Sequence, residues 1–372
     1  MTHGATAGTH DVLTELKGQV GCITLNRPKA LNALSLPMIR ALTQTLLTWR
    51  DDPGVKAVAV RGSNKHGVFG AFCAGGDIRF FHQAALTGNP QLEDFFTEEY
   101  ALNHLIHNYS KPYIAFMDGV VMGGGMGISQ GASLRLVTEH TKMAMPETLI
   151  GLFPDVGGGY FLSRCPGRTG EWLALTGEAI DAGAAVRLGL ADRRMDASQL
   201  ATAWQALGDV DLERADALGA WAATYSIAGG VAPATHQTEI DRFFSLSTVP
   251  EIIAALESAD SAWGQHTAAT LRKRSPLMLH VVLEQVRRAR GMSLADDLRM
   301  ERDMVRHCFN THHLMRSGAA SETVEGVRAL AVDKDHNPKW TPAQIEEVTP
   351  EMVAPFFESP WPAHAHPLAH LR

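Results

Sequence analysis

Two glycine-bearing stretches, Phe72-Cys73-Ala74-Gly75-Gly76-Asp77-Ile78-Arg79 and Met122-Gly123-Gly124-Gly125-Met126-Gly127, stand where strand-like sequence gives way to helix-like sequence. Glycine at such a junction leaves backbone N–H groups free to face a ligand, and a helix that starts there adds the positive end of its dipole. Two donors of this kind, the amides of Gly76 and Gly124, would form an oxyanion hole if they faced one oxygen. Removing one donor from the hole of a characterised hydrolase lowers its rate by roughly a hundred- to a thousand-fold, so such a hole carries much of a catalytic effect. It does not choose the reaction, because a thioester enolate and a tetrahedral thioester adduct need the same two donors. The plain alternatives are close helix-strand packing for the glycine triplet and a tight turn for Gly76.

The choice of reaction falls to acids. Glu147 follows Pro146, whose fixed φ suits a helix start, and Asp155 stands eight residues further on, past Gly151 and Pro154. Those breakers exclude one straight helix, which leaves both carboxylates free to converge on a site. Glu147 also reads as an ordinary charge at a helix N-terminus, and Asp155 as a cap on a helix opened by Gly157, Gly158 and Gly159. Glu98 and Glu99 lie beside an apolar face made by Leu92, Phe95 and Tyr100, so one of the two is a candidate to point inward. Among the cations, Lys29 and Arg79 are candidates to meet phosphate, although a single arginine or lysine also reads as a solvated charge.

The elements that would position these groups follow from periodicity. Asp11 to Leu25 predicts two strands turning at Lys17-Gly18, and Leu36 to Trp49 a helix with Ser35 as N-cap, stopped by Asp51-Asp52-Pro53-Gly54. The runs 55–61, 113–117 and 134–137 predict further strands. Strand, glycine turn and helix in alternation predict an α/β domain. Residues 197–263 read as helical, with breaks at Ala228-Gly229-Gly230 and Val249-Pro250. Residues 276–308 predict amphipathic helices broken near Gly291, which would pack on the core and could also pair subunits. The last dozen residues, with His364, His366 and His370, read as a solvated tail rather than a metal site.

At 372 residues the chain exceeds the roughly 250 to 300 that one undivided core holds, so an accessory region is expected. The division expected is a flexible stretch over 1–10, a core over 11–195, a mostly helical region over 196–355 and a tail over 356–372. A net charge of −7 opposes generic attraction to nucleic acid or anionic membrane. Cys22, Cys73, Cys165 and Cys308 fit no metal spacing and read as reduced thiols, and no signal-peptide pattern is visible, so a cytoplasmic location is expected.

These motifs, in this order, resemble the crotonase, or enoyl-CoA hydratase/isomerase, superfamily. The resemblance rests on Asn26-Arg27-Pro28-Lys29-Ala30-Leu31-Asn32-Ala33-Leu34, Ala74-Gly75-Gly76-Asp77, Gly123-Gly124-Gly125 and Pro146-Glu147. It implies a spiral of ββα units with a C-terminal helical region, an oxyanion hole from Gly76 and Gly124 around a CoA thioester carbonyl, and CoA held by Lys29, Ala30 and Leu31, with Arg79 nearby. Within the superfamily the chain is most similar to the hydrolases of 3-hydroxyisobutyryl-CoA, through Glu98-Glu99-Tyr100, Ala144 to Thr148, Ile150 to Leu162, Glu325 to Ala329 and Pro338-Lys339-Trp340. A typical hydratase has a glutamate two positions after its glycine triplet, where this chain has Gly127, and usually glycine where this chain has Asp155. That exchange points from C=C hydration to hydrolysis of a short β-hydroxyacyl-CoA, with Glu147 and Asp155 as catalytic acids and Glu99 on the substrate hydroxyl. The resemblance implies no metal and no separate cofactor, since coenzyme A arrives with the substrate. An enoyl-CoA hydratase or isomerase and a non-catalytic acyl-CoA binder are the competing readings.

Overall fold

The computed structural model describes residues 10–214, 216–227 and 235–372. Two compact units make it up. The first draws on Met1–Gly76, Leu102–Met143 and Ile180–Pro233, and the second on Asp77–Ala101, Ala144–Ala179 and Ala234–Arg372.

The first unit is built on a sheet. Its strands, with the shorter ones around it, are β1 (Val12–Lys17), β2 (Val20–Leu25), β3 (Ala57–Asn64), β4 (Gly67–Val68), β5 (Tyr113–Met117), β6 (Val120–Met122), β7 (Leu134–Thr138), β8 (Lys142–Ala144) and β9 (Arg193–Met195). The order across the sheet is β1-β2-β3-β5-β7-β9, with β4 paired to β3. The β1–β2 hairpin is antiparallel, in the register Leu13↔Thr24, and turns at Lys17-Gly18 as expected. Every other pairing along that order is parallel. Strands buried on both faces must be apolar throughout, and β2 and β5 are buried at every position. One face of the sheet carries Val20, Cys22, Ala59, Ile114, Phe116 and Leu136 against Trp204 and Trp221, which come from the helices Leu200–Ala206 and Ala217–Tyr225. The helix Leu36–Asp51 starts where expected, with Ser35 in extended conformation at its N-cap and proline in the first turn.

The loop between β2 and that helix is tied down by one side chain. Buried Asn32 sits at φ +58, after Leu31 at +50. Asparagine tolerates this region, and its amide satisfies backbone groups that would otherwise be buried unpaired. Its Oδ1 accepts from the Arg27 N–H at 2.9 Å, and its Nδ2 donates to the carbonyls of Ser63 at 2.8 Å, Ala71 at 3.0 Å and Phe72 at 3.2 Å.

The second unit is mainly helical. Phe81, Phe95, Phe96 and Phe309 form an aromatic cluster, with ring centroids 4.7 Å apart for Phe81–Phe95 and 5.7 Å for Phe96–Phe309. The amphipathic stretch over 276–308 folds as two helices, Pro276–Ala289 and Leu294–Phe309, separated around Gly291 as the pattern predicts. The break expected at Val249-Pro250 is present and falls just before it, between the helices Gln237–Phe244 and Val249–Glu257; the proline sits in the first turn of the second, where its missing N–H would be unpaired in any case, and Thr248 with Glu251 completes a capping box. The expectation of a solvated tail is corrected in part: His364 and His370 are exposed, but Leu368 and Leu371 are buried, and His366 Nε2 lies 3.2 Å from Asp303. The expected break at Ala228-Gly229-Gly230 and most of the expected flexible stretch over 1–10 lie outside the described residues.

Asn32→Ala leaves three carbonyls and one amide of the first unit without their partner, so it is expected to lower stability by on the order of 2 to 3 kcal/mol. Urea or thermal unfolding followed by circular dichroism measures this, and an unchanged midpoint would contradict the role given to Asn32.

Candidate active site

The two glycine turns meet inside the first unit. Gly123, at φ +47, is the N-cap of the short helix Gly124–Gln130, so the Gly124 amide belongs to its first, unpaired turn. Cys73 in the other turn bridges to Val121, and the Met122 N–H donates to the Cys73 carbonyl at 3.0 Å. The approach is as close as glycine permits: a Cβ on Gly125 would lie 2.3 Å from the Cys73 carbonyl oxygen, and one on Gly75 would lie 3.7 Å from the Gly124 nitrogen. Close packing, the plain reading of the glycine triplet, therefore holds. The loop bonds use the N–H groups of Cys73, Ala74, Met122, Met126 and Gly127 but not those of Gly76 or Gly124. Lys29 and Leu31 are exposed on and after the turn Pro28–Ala30. That turn is joined to the glycine loop by Ala74 N–H donating to the Leu31 carbonyl at 3.0 Å and Leu34 N–H to the Gly75 carbonyl at 2.7 Å.

The acids gather inside the second unit. Glu147 opens the 3-10 turn Glu147–Ile150, which Gly151 closes at φ +66, and it is 7% exposed. Asp155 is 5% and Glu99 2% exposed. Glu99, rather than Glu98, is the inward member of its pair. Arg79 is exposed on the first turn of the helix Ile78–Thr87.

Three carboxyls buried together repel one another's charge. Burial, then the charges of Asp155 and Glu147, holds Glu99 well above the usual carboxylate range, and burial, then the Asp155 charge, does the same for Glu147. Asp155 is pushed up to about 7 by burial, against the pull of the Tyr100 hydroxyl, which donates to its Oδ2 at 2.8 Å. Among the described residues, Glu147 Oε2 and Glu99 Oε1 are buried without a hydrogen-bond partner, as is Asp297 Oδ1. A carboxyl raised to near neutrality, as Asp155 is, suits proton transfer.

Asp155 is not a helix cap. The N-terminus of the helix Gly158–Leu162 is capped instead by Glu301, whose carboxylate accepts from the Gly157 N–H at 2.7 Å and the Gly159 N–H at 3.0 Å, and by Asp297, which accepts from the Tyr160 N–H at 2.8 Å. Sequence reasoning missed these two and Tyr100. A signal existed for the pair: Asp297, Glu301, Met304 and Cys308 follow at helical spacing, so two acids occupy the buried stripe. Tyr100 was read as a ring on an apolar face, which it is, while its hydroxyl is spoken for.

The enoyl-CoA hydratase/isomerase family profile matches residues 20–357. The chain belongs to this family. It is 40% identical to the 3-hydroxyisobutyryl-CoA hydrolase, mitochondrial, of Danio rerio, over 94% of this chain and 90% of that protein. It is 41% identical to 3-hydroxyisobutyryl-CoA hydrolase 1 of Arabidopsis thaliana, over 95% of this chain and 92% of that one. The crystal structure of a carnitinyl-CoA dehydratase from Mycobacterium thermoresistibile superposes with a TM-score of 0.84 at 38% identity, covering 94% of this chain and 97% of that one. As a crotonase-family protein the chain has the expected α/β spiral of ββα units followed by a C-terminal helical region, and it is a CoA-thioester processing enzyme. Among the described residues no helix is long and apolar enough to cross a membrane. The expectation of a cytoplasmic location is corrected: the zebrafish crotonase relative and the other vertebrate hydrolases matched are named as mitochondrial, and the features used for the expectation, four unpaired cysteines and an unremarkable start, do not separate the two compartments.

The raised Asp155 carries a pH signature. Below its ordinary value of 3.8 it is protonated folded and unfolded alike; above that the unfolded chain releases a proton that the folded one keeps until about pH 7. Folding stability therefore falls as pH rises through this window. Asp155→Asn is expected to flatten that fall in thermal midpoint, and a variant whose midpoint tracks the parent at every pH would show that Asp155 titrates normally.

Proposed function

We propose that this enzyme hydrolyses a short β-hydroxyacyl-CoA thioester, 3-hydroxyisobutyryl-CoA to 3-hydroxyisobutyrate and CoA, a step of valine breakdown. The observation that carries the reading is the buried set of carboxyls around Asp155, with Glu147 Oε2 unpartnered. The names of the zebrafish and Arabidopsis relatives, matched over nine-tenths of both chains, support the same substrate.

In this mechanism the amides of Gly76 and Gly124 receive the thioester carbonyl oxygen as it gains negative charge. Glu147 delivers oxygen to the carbonyl carbon. It does so by its own attack, giving a mixed anhydride that water then opens, or by taking a proton from an attacking water. Either way the C–S bond breaks, the electron pair leaves with the CoA sulfur, and Asp155 handles the proton of the water or the thiolate. Glu99 hydrogen-bonds the β-hydroxyl of the acyl group. Lys29, Ala30 and Leu31 hold part of the CoA, with Arg79 contributing to its phosphates.

Reversible hydration of an enoyl-CoA is the second reading, favoured by the solved relative that is named a carnitinyl-CoA dehydratase. Gly127, a residue without a carboxyl in the helix after the glycine triplet, weighs against it.

Release of free thiol from 3-hydroxyisobutyryl-CoA, read with a thiol-reactive dye, separates the two, because hydration releases none. Glu147→Gln is expected to lower that release by a hundred-fold or more, of the order found when a group that acts in the transition state is removed. Turnover within a few-fold of the parent would refute its role. The 3-hydroxypropionyl ester, shorter by one methyl group, is expected to turn over within about 10- to 200-fold of the preferred substrate.

A further inference from the structure

Asp155 is followed by a strained point of the backbone. Val156 has φ +57, a left-handed conformation that a β-branched residue keeps only where its surroundings hold it, and Gly157 continues the turn at +87. The holding groups come from the two C-terminal helices. Gln285 Nε2 donates to the Pro154 carbonyl at 2.7 Å and to Glu301 Oε1 at 3.2 Å, and both oxygens of Glu301 accept the amides of Gly157 and Gly159. Glu301 is fully buried. A separate bond fixes the acid itself, from the Tyr100 hydroxyl to Asp155 Oδ2.

We propose that Tyr100 and Glu301 are positioning residues for Asp155: the phenol aims its carboxylate, and the Glu301 carboxylate holds the strained Val156–Gly159 turn that carries it. This rests on the reading that Asp155 acts in thioester hydrolysis. The titratable groups in electrostatic contact with Asp155 are Glu99 and Tyr100 from one helix, Glu147 from its turn, and Glu301 and Cys308 from the helix Leu294–Phe309. None of them is a cation. Burial is what raises Asp155; the Tyr100 O–H is the side-chain donor that opposes it, together with a backbone hydrogen bond, and it favours the ionised form of Asp155. Its loss moves the ionisation of Asp155 to higher pH, while the loss of the Glu301 clamp releases the turn without removing a hydrogen bond from Asp155.

The test is thiol release from 3-hydroxyisobutyryl-CoA by the full-length enzyme across about pH 6 to 9, the range over which acid–base groups poised near neutrality titrate. Tyr100→Phe is expected to lower kcat by about ten- to a hundred-fold, the factor for one hydrogen bond to a charged group, with KM within about two-fold. It is also expected to shift the pH at which kcat rises to a higher value. In an Asp155→Asn background Tyr100→Phe is expected to have no further effect on kcat. Glu301→Gln, which turns an amide N–H₂ toward one of the two backbone donors, is expected to lower kcat and the thermal midpoint together. A Tyr100→Phe enzyme with lowered thermal midpoint but unchanged kcat and pH profile would overturn the inference, and so would full kcat in folded Glu301→Gln. Full activity of Asp155→Asn would instead remove the reading beneath it; an inactive Asp155→Asn beside an unaffected Tyr100→Phe would remove only the positioning role.

Discussion

The second unit is organised around the cost of burying carboxyls together. Glu99, Glu147, Asp155, Asp297 and Glu301 are all at or below 7% exposure, and burial is the largest cause of the rise in each one's pKa. A buried ionised carboxylate without donors costs several kcal/mol, so such a group persists only if donors reach it or it keeps its proton. The fold uses both solutions, and it divides the acids by them. Glu301 and Asp297 receive backbone amides at the start of a helix and serve as caps. Glu147 and Glu99 cap no helix, and burial with neighbouring charge holds both well above the usual carboxylate range. Asp155 stands between, with one hydroxyl donor and a value of about 7.

In the first unit the corresponding constraint is steric. The helix Gly124–Gln130 and the turn at Cys73 approach until no Cβ fits between Gly125 and the Cys73 carbonyl. The same approach leaves the first-turn amide of Gly124 out of the loop's own hydrogen bonds. Asn32 supplies the other restraint, since its amide bonds to Ala71 and Phe72 at the start of the strand-to-glycine loop and to Ser63 on β3. A loop that presents unpaired donors is unstable by itself, and these side-chain bonds fix it from behind.

What the sequence disclosed, it disclosed through local rules. The β1–β2 hairpin, the helix from Leu36 and the pair of helices flanking Gly291 follow from periodicity and caps within a few residues, and so does the helix start at Gly124. The misses share a different cause. The caps of the Gly158 helix come from residues 137 to 144 positions away, which no local pattern around Asp155 encodes. Tyr100 shows the limit most clearly: apolar periodicity reports where its ring lies and is silent about where its hydroxyl points. The family's motifs reached further than periodicity, because they are compressed records of such long-range arrangements, but they did not reach the cell compartment.

The distribution of donors among the acids also bears on why a carboxylate at position 155 is tolerated at all. Glycine at this place would lessen the repulsion on Glu147 and Glu99, since the Asp155 charge raises both. Keeping an aspartate there requires a donor for it and a rigid turn beneath it, and both are present: the Tyr100 hydroxyl, and the Pro154 to Tyr160 segment held by Gln285, Glu301 and Asp297. Three of those four side chains come from the C-terminal helices. The helices 276–289 and 294–309 therefore act on the site through the backbone of one strained turn, and an insertion or shift in either would be felt first at Asp155, whose neighbour Val156 holds a conformation it would otherwise leave.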